Sequence, residues 1–363
     1  MKDILRDLSD HDEYVPGKGA EEVARERGFS PGEMVKLASN ENPFGPPPVA
    51  VDALKEKAEE ASVYPTALHS DVREEIADYV DSPVENVVLG AGADGVFDTV
   101  GRAVIDEGDA VLTPSPGFSY YGMSARNQGG SERSYALDKE DGFEITAEGI
   151  IDSYDGEKIV YITTPNNPTG TALGTEDIRD VAESLTDALV FVDEAYGEFS
   201  EHASAVDIAL ELDNLAVSRT FSKAFGLAGL RVGYAVVPDW LADAYSKVVT
   251  PFAVGTLSLH AASAALEDEE HLEKSVENAR WGREYMRREI DARVFDSEAN
   301  FVLVDVSPRT GTEVADALEE RGFIVRDTTS FGLPNCVRVT VGTRRQTREV
   351  VKSLNDVLEG EHG

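Results

Sequence analysis

The sequence is poor in positive charge. Its 363 residues include 33 Lys and Arg against 69 Asp and Glu, which gives a formal net charge of −36. Nucleic-acid-binding proteins need a basic surface, and anionic membranes attract basic segments, so we expect neither a nucleic acid nor a membrane as partner. Disorder, which acidic composition also favours, is excluded because 41% of the residues are hydrophobic and 8% are aromatic.

Cysteine and long apolar runs are also scarce. Cys336 is the single cysteine, so an intramolecular disulfide and a Cys-based zinc site are excluded, and we predict no metal centre. No stretch approaches the roughly 18 apolar residues of a membrane-spanning helix. The first seven residues lack the apolar segment of a signal peptide. We therefore expect a cytoplasmic protein.

Lysine is the rarer of the two strongly basic residue types, with 11 Lys against 22 Arg. Asp and Glu take the places that lysine commonly occupies on a protein surface. A large net negative charge keeps a protein soluble but makes it repel itself, a property that halophilic proteins use. We hypothesise a salt-adapted protein whose acidic excess is a solvated surface. The alternative is an ordinary acidic cytosolic protein.

Short β-branched runs alternate with longer amphipathic runs along most of the chain. The pattern predicts strands at 86–89, 110–113, 158–163, 188–192, 215–219 and 232–237, and helices at 96–105 and 175–185. Strands separated by helices indicate an α/β fold with a doubly wound, mainly parallel sheet. Ligands bind such sheets beyond the carboxyl ends of the strands.

The pattern changes after about residue 250. A long helical stretch at 257–291 precedes shorter strand and helix units, which are typical of a smaller α+β domain. We predict an N-terminal segment (1–45) that packs on the small domain, a large ligand-binding domain (46–250) and a small C-terminal domain (251–363).

The segment from Thr220 to Arg231 carries the strongest chemical signal. In a protein that avoids lysine, Lys223 lies in a Gly- and Ala-rich loop between two apolar strands. A desolvated or cationic setting lowers the pKa of a lysine amine, as Schiff-base chemistry requires. The hydroxyls of Thr220 and Ser222 and the planar guanidinium of Arg231 suit a phosphate. The alternative for Lys223 is an ordinary solvated lysine.

A carboxylate follows the apolar strand at 188–192. Burying a carboxylate is costly unless it is paired, so Asp193 is either an exposed strand end, a helix N-cap or a functional group. In the last case it holds a pyridine nitrogen protonated, so that the ring acts as an electron sink. Tyr196 is then placed to donate to the phenolic oxygen of such a cofactor. Asp193 and Lys223 are 30 residues apart, one strand-crossover unit.

Four further sites give weaker signals. Asn167 follows a strand and reaches the same cofactor oxygen, unless it serves only the turn. Ala93 and Asp94 begin a helix, where backbone N–H groups favour an anion, although the glycine pattern is not a complete G-x-G-x-x-G. Phe118 is either a core residue or a ring stacked on the cofactor. Arg338, on an alternating strand, binds a carboxylate ligand or an acidic side chain.

Together these segments resemble the class II, fold-type I aminotransferases that use pyridoxal 5′-phosphate, and specifically the histidinol-phosphate aminotransferase family. The resemblance covers essentially the whole chain in the family's order, at 35–47, 64–65, 92–94, 114–121, 165–170, 193–196, 218–231 and 338–343. Asp193, Lys223 and Arg231 identify the superfamily. The runs at 14–18 and 40–43 indicate the histidinol-phosphate group.

The resemblance implies roles around the cofactor. Lys223 would hold the cofactor covalently and move the reacting proton, and Asp193 would lie on the pyridine nitrogen. Asn167 and Tyr196 would contact the phenolic oxygen, with Tyr196 counted among the catalytic residues. Phe118, where many relatives have Tyr, would stack on the ring. The residues implied for the cofactor phosphate are Ala93, Asp94, Thr220, Ser222 and Arg231.

The resemblance also implies substrate and subunit contacts. Arg338 would bind the α-carboxylate of the amino donor. Tyr14, Asn42 and Arg326 would line the pocket for the phosphorylated substrate. Tyr64 would reach the cofactor of a neighbouring subunit, which implies a homodimer. Gly95, where many relatives are acidic, removes one expected contact near the phosphate.

The implied activity moves an amino group between L-glutamate and imidazole-acetol phosphate, giving 2-oxoglutarate and L-histidinol phosphate in histidine biosynthesis. An aromatic or broad-range amino-acid aminotransferase is one alternative. A lyase resembling threonine-phosphate decarboxylase is another, and release of carbon dioxide without consumption of a keto acid would identify it. A non-catalytic binding module of the same fold is the third, and a purified protein that takes up no cofactor would indicate it.

Overall fold

In a computed structural model, the protein is described at residues 8–9, 11, 13, 19–65 and 70–360. Strands within these residues form two sheets, one of seven strands and one of five. No helix in the described part of the chain has both the length and the apolar character needed to cross a membrane.

The larger sheet is mainly parallel, as predicted. Its strands are β2 (Val87–Ala91), β3 (Ala110–Ser115), β4 (Ser131–Ala136), β5 (Ile159–Thr163), β6 (Leu189–Asp193), β7 (Leu215–Thr220) and β8 (Val232–Val236). They lie in the order β2-β8-β7-β6-β5-β3-β4. Only β8 runs antiparallel, to both β2 and β7. The edge strand β4 is absent from the prediction because its exposed, polar sequence has no apolar run.

Helices cover both faces of the larger sheet. They are α2 (Pro48–Glu56), α3 (Ser70–Val80), α4 (Gly92–Val104), α5 (Tyr120–Asn127), α6 (Ala147–Ser153), α7 (Thr175–Ser184), α8 (Val206–Ala209), α9 (Asp239–Val248) and α10 (Thr256–Leu266). Central strands are therefore buried along their whole length. Alternate residues enter different cores: Val190 and Val192 pack in one cluster, and Phe191 packs in the other.

The smaller sheet contains strands from both ends of the chain. Its strands are β1 (Val35–Leu37), β9 (Arg293–Val294), β10 (Phe301–Asp305), β11 (Phe323–Asp327) and β12 (Cys336–Thr340), in the order β1-β11-β12-β10-β9. Near it lie α1 (Ala20–Arg27), α11 (Glu269–Glu289), α12 (Gly311–Glu319) and α13 (Arg344–Glu359). β1 pairs in parallel with β11. The domain boundaries at 45/46 and 250/251 stay a prediction.

The predicted helical stretch at 257–291 is two helices. α10 ends at Leu266, and the side chain of Asp268 accepts a hydrogen bond from the backbone N–H of His271 to begin α11. Such a cap satisfies a helix N–H that has no partner within the helix. α10 packs on α2 and α3, whereas α11 packs on β10 and α13.

Candidate active site

A cavity of about 890 Å³ lies at the carboxyl ends of the parallel strands, against the smaller sheet. The strands β2, β3, β5, β6 and β7 all run in the same direction, so the residues that follow them meet at one edge. The predicted site residues that line the cavity are Ala93, Asp94, Phe118, Asn167, Asp193, Tyr196, Thr220, Ser222, Lys223, Arg231, Arg326 and Arg338.

Asp193 is a buried carboxylate at the end of β6, 4% exposed. Its Oδ2 accepts a hydrogen bond from the Tyr121 hydroxyl at 2.6 Å, and its Oδ1 accepts one from the backbone N–H of Ala195 at 2.9 Å. Burial raises the pKa of the Asp193 carboxyl to about 6, although these two hydrogen bonds lower it. A cation beside Asp193 therefore favours the ionised form.

Lys223 lies in the turn between β7 and β8. The turn is closed by a hydrogen bond from the backbone N–H of Leu227 to the carbonyl of Phe221 at 2.9 Å. The half-buried Nζ donates to the carbonyl of Ser39 at 3.3 Å. It forms no ion pair with any carboxylate in the described part of the chain, although the protein is strongly acidic. This setting is unlike that of a solvated surface lysine.

The start of α4 and the turn before β8 form a small cradle. Arg231 has a positive φ of 52°, and its guanidinium reaches Ser222 Oγ at 3.4 Å and Asp94 Oδ2 at 2.9 Å. Gly92 has a φ of +75°, which favours glycine, and a Cβ there would lie 2.3 Å from Arg231 Nη2 and displace the guanidinium from the cradle. The cradle combines a guanidinium, a hydroxyl and a helix N-terminus, which together suit a phosphate.

The side chain of Asp94 does not suit a phosphate in this cradle. Its carboxylate pairs with Arg231 and would repel a phosphate. The contribution that Asp94 can make to an anion is therefore its backbone N–H, in the first turn of α4, where the N–H groups have no intrahelical partner. Thr220 Oγ1 accepts from the backbone N–H of Ser222 at 3.1 Å and stabilises the same turn.

Phe118 and Asn167 lie on the side of the cavity toward β3 and β5. The ring of Phe118 meets that of Tyr121 edge-on, with centroids 5.5 Å apart. Asn167 Oδ1 accepts a hydrogen bond from Arg338 Nη1. Arg338 also donates from Nη2 to the carbonyl of Ala38 at 2.7 Å and is 5% exposed.

A second arginine is paired with Arg338 on the neighbouring strand of the smaller sheet. Arg326 on β11 and Arg338 on β12 are directly opposite in the antiparallel register. Arg326 Nη2 donates to Ser330 Oγ at 3.2 Å, and its guanidinium lies 5.6 Å from the centre of the Phe331 ring. Like charges opposite each other destabilise a sheet unless an anion compensates them.

Two predicted residues, Asn42 and Tyr64, do not line the cavity. The Asn42 amide donates to the carbonyl of Ala224 and to Ser275 Oγ, both at 2.8 Å, so Asn42 anchors a loop instead of facing substrate. Tyr64 is 77% exposed and stacks on Phe252, with ring centroids 4.7 Å apart. Tyr14 lies outside the described residues.

Three residues at or next to the cavity have no role in the prediction from the sequence: Asn40, Tyr121 and Arg126. Asn40, two positions before Asn42, lines the cavity and donates from Nδ2 to the Tyr196 hydroxyl at 2.8 Å. Tyr121, in the first turn of α5, lies behind Asp193 and bonds its carboxylate. Arg126 also lines the cavity and pairs with Glu132 at 2.9 Å.

The described residues contain no group of His, Cys, Asp and Glu side chains arranged to hold a metal ion. Cys336 lies in β12 and is buried, and burial raises the pKa of its thiol to about 11. A protonated, buried thiol is a weak nucleophile and a weak ligand.

Comparison with known proteins identifies close relatives. The family model for "Aminotransferase class I and II" matches residues 32–354. The histidinol-phosphate aminotransferase of Natronomonas pharaonis is 52% identical, over 97% of this chain and 99% of that protein. The protein of the same name from Haloferax volcanii is 53% identical, over 97% of this chain and 98% of that protein.

Solved structures share the fold. The histidinol-phosphate aminotransferase of Sinorhizobium meliloti, in complex with pyridoxal-5′-phosphate, superposes with a TM-score of 0.87 at 24% identity, over 96% of each chain. The enzyme of the same name from Clostridium acetobutylicum gives a TM-score of 0.83 at 25% identity, over 90% of this chain and 99% of that one. The chain belongs to the class I and II aminotransferases, within the histidinol-phosphate aminotransferase family.

Proposed function

We propose that the protein is a pyridoxal-phosphate-dependent aminotransferase that moves an amino group between L-glutamate and imidazole-acetol phosphate. The products are 2-oxoglutarate and L-histidinol phosphate. The observation that carries this proposal is the pair of opposed arginines, Arg326 and Arg338, in the cavity that also holds Lys223 and Asp193. Both substrates are anionic, and one carries a phosphate that an arginine fork recognises.

The residues present fit pyridoxal 5′-phosphate. The cradle of Gly92, Ser222 and Arg231 suits its phosphate. Asp193 suits a protonated pyridine nitrogen, because burial makes the charge of its carboxylate costly and raises its pKa, and a cationic ring nitrogen beside it would compensate that charge. The amine of Lys223 suits the aldehyde. When bound, the cofactor supplies an electron sink for the negative charge that develops at the substrate Cα.

The protein's own residues position the reaction and move its protons. We assign the proton transfer at the substrate Cα to Lys223, whose Nζ donates to a neutral carbonyl, that of Ser39, and to no carboxylate among the described residues. Asp193 would hold the ring nitrogen of the cofactor protonated, and Tyr196 would donate a hydrogen bond to its phenolic oxygen. One cavity serves both half-reactions, so we expect ping-pong kinetics.

We assign a different anionic group of the substrates to each of the two arginines. Arg338 is buried and fixed by Asn167, and we assign to it the α-carboxylate of the amino donor. Arg326 is more exposed and oriented by Ser330 and Phe331, and we assign to it the phosphate of the larger substrate. Arg326 is then needed for the phosphorylated substrate and much less for an amino acid without phosphate.

A substrate comparison tests this assignment. In molar salt, histidinol phosphate with 2-oxoglutarate is compared with phenylalanine or tyrosine as amino donor. We expect kcat/KM for histidinol phosphate to be higher by about 30- to 150-fold, since a lost bidentate ion pair costs about 2–3 kcal/mol. Arg326→Gln should remove most of that preference and leave phenylalanine nearly unchanged. An equal loss with both donors would contradict the role of Arg326, and equal activity of the unaltered protein would favour the broad-range alternative.

We also propose a cytoplasmic homodimer in which Tyr64 completes the partner's cavity. Val63, Tyr64 and Phe252 form an exposed apolar group on the surface, which is typical of an interface. Co-refolding Tyr64→Ala with Lys223→Ala tests it, because a mixed dimer would contain one intact cavity. We expect about a quarter of the cavities to recover, as random pairing of two subunit types dictates. No recovery, with dimers present in sedimentation analysis, would contradict the shared site.

A further inference from the structure

Asn40 is a buried polar residue to which the proposed function gives no role. It lies beyond β1, lines the cavity and is 1% exposed. Its φ of 54° falls in the left-handed region, which Asn adopts more readily than most residues. Its backbone carbonyl accepts a hydrogen bond from Asn300 Nδ2 at 3.0 Å. The position is therefore held by the residues next to β10 as well as by its own turn.

The hydrogen bonds of Asn40 fix the orientation of its side-chain amide. Its backbone N–H, which can only donate, reaches Thr340 Oγ1 at 3.1 Å. The Thr340 hydroxyl donates its own hydrogen to Asn40 Oδ1 at 2.9 Å. The amide NH₂ of Asn40 is thereby turned toward the Tyr196 hydroxyl, 2.8 Å away. An NH₂ group has no acceptor capacity, so the Tyr196 oxygen accepts this bond.

These bonds fix the direction in which the Tyr196 hydroxyl donates its hydrogen. Its oxygen accepts from Asn40, so its own hydrogen is directed elsewhere, and the side chain lines the cavity. Hydrogen bonds in a chain polarise one another, so a phenol that accepts a bond becomes a better donor. We propose that Asn40 and Thr340 are positioning residues that hold the Tyr196 hydroxyl as a hydrogen-bond donor toward the cavity.

This inference rests on the proposed function, in which Tyr196 donates to the phenolic oxygen of the cofactor. A bond donated to that oxygen stabilises its negative charge. The lysine-bound cofactor then loses its proton at a lower pH than it would without the bond. The pH of the accompanying change in visible absorbance therefore reports on the polarity of Tyr196, independently of turnover.

The test is a spectroscopic pH titration of the holoenzyme in constant molar salt. Tyr196→Phe should raise the transition by about 1–2 pH units, because it removes a hydrogen bond to a charged group. Thr340→Val should raise it by about 0.5 unit, since the Asn40 amide loses its orienting partner but keeps its donor group. Thr340→Ser retains a hydroxyl and should titrate like the unaltered protein. Asn40→Asp keeps a residue that tolerates the left-handed turn but presents only acceptors, and it should raise the transition at least as far as Tyr196→Phe.

A double variant separates positioning from a general structural effect. In a Tyr196→Phe background, Thr340→Val should produce no further shift, because the hydroxyl through which it acts is gone. Additive shifts, or a Thr340→Val transition equal to that of the unaltered protein, would overturn the inference. An unchanged transition in Tyr196→Phe would instead contradict the role of Tyr196 in the proposed function. Thr340→Ala, which also removes the hydroxyl and adds no charge, provides the same decision if Thr340→Val fails to fold.

Discussion

Two concave regions of the protein have nearly equal volume and opposite charge. The active-site cavity measures about 890 Å³, and a groove between α6 and α7 measures about 810 Å³. Three carboxylates in the cavity face six basic side chains, from Lys36, Arg126, Lys223, Arg231, Arg326 and Arg338. The groove has no Lys or Arg among its described lining residues and five carboxylates, from Glu148, Asp152, Asp177, Asp180 and Glu183.

This difference shows that the acidic residues that set the net charge and the basic residues that form the site lie in different parts of the molecule. The carboxylates of the groove are exposed, so they remain hydrated and add to the repulsion within a chain of net charge −36. The cations of the cavity instead meet at one site, from β1, α5, β11, β12 and the turn between β7 and β8, close to polar groups that orient them. Composition therefore indicates the conditions in which the protein is stable, and the few cations of the cavity indicate its reaction.

The largest expected effect distinguishes two lysines within the cavity. Lys223 donates to a neutral carbonyl, whereas Lys36 is paired with Glu41 at 2.8 Å. Lys223→Ala should lower kcat by about 10⁴-fold or more, because it removes both the covalent attachment and the general base. It should also abolish the absorbance of the lysine-bound cofactor. Lys36→Ala should change kcat less than about tenfold, since its charge is already compensated; equal losses would contradict the assignment of Lys223.

The next effect concerns the acidic surface. Dilution out of molar salt should unfold the protein, because the repulsion within a chain of net charge −36 is then unscreened and acts against a typical stability of only about 5–15 kcal/mol. Circular dichroism follows the loss of helix. Full helical content in dilute buffer would contradict it and favour an ordinary acidic protein.

Neutralising part of the groove sharpens the same test. Asp177→Asn with Asp180→Asn should lower the salt concentration at the midpoint of unfolding, because it removes from the groove two charges that form no ion pair with the described residues. Asp356→Asn is the matched control, since Asp356 pairs with Lys352 at 3.1 Å and lies 3.6 Å from Arg321. It should leave the midpoint unchanged or raise it. An equal fall in both variants would show that net charge alone, and not its placement, sets the salt requirement.

Much of the site is predictable because local sequence determines it. The apolar run that ends at Asp193 gives a buried strand, and the direction of parallel strands brings Asp193 and Lys223 to one edge. Local sequence does not determine which of the two asparagines, Asn40 or Asn42, lines the cavity. The left-handed turn at Asn40 and its bonds to Thr340, 300 residues away, place one asparagine in the cavity and the other in an anchoring loop.

The same limit applies to the opposed arginines and to the helices after residue 250. Alternation predicts that Arg326 and Arg338 lie on strands, but only the register of β11 with β12 places them face to face. The break at Asp268 follows from α10 and α11 packing on different neighbours, which periodicity alone does not reveal. Long-range pairing therefore accounts for what the sequence leaves open.

A smaller effect concerns the one buried carboxylate of the cavity with a raised pKa. The Asp193 carboxyl has a pKa of about 6 in the folded protein against 3.8 ordinarily, so the folded state favours the neutral form. Its charge therefore destabilises the cofactor-free protein fully above pH 6, by about 2–3 kcal/mol, and has no effect below about pH 4. Asp193→Asn should stabilise the cofactor-free protein by that amount at pH 7.5, and the gain should shrink as the pH falls toward 4.

Denaturant unfolding at constant salt measures this gain. Tyr121 accommodates the amide, because its hydroxyl also bonds Thr163 Oγ1 and either atom can be the donor. With cofactor bound the order should reverse, since the carboxylate then pairs with a ring cation and the amide does not. A variant less stable than the unaltered protein in both states would show that Asp193 has a structural role independent of its charge.

The smallest expected effect is on substrate capture, where the two regions oppose each other. The acidic surface repels anionic substrates at long range, whereas Arg326 and Arg338 attract them at contact. Added salt shortens the screening length from about 10 Å at 0.1 M to about 3 Å at 1 M, so it removes the distant repulsion before it weakens the partly buried contacts. Within the salt range where circular dichroism shows an intact fold, the apparent KM for glutamate and histidinol phosphate should therefore fall a few-fold as salt rises. Phenylalanine, with no net charge, provides the control and should show little change. A KM for the anionic substrates that rises steadily with salt, while that for phenylalanine stays constant, would mean that the contact with the arginines outweighs the field of the surface.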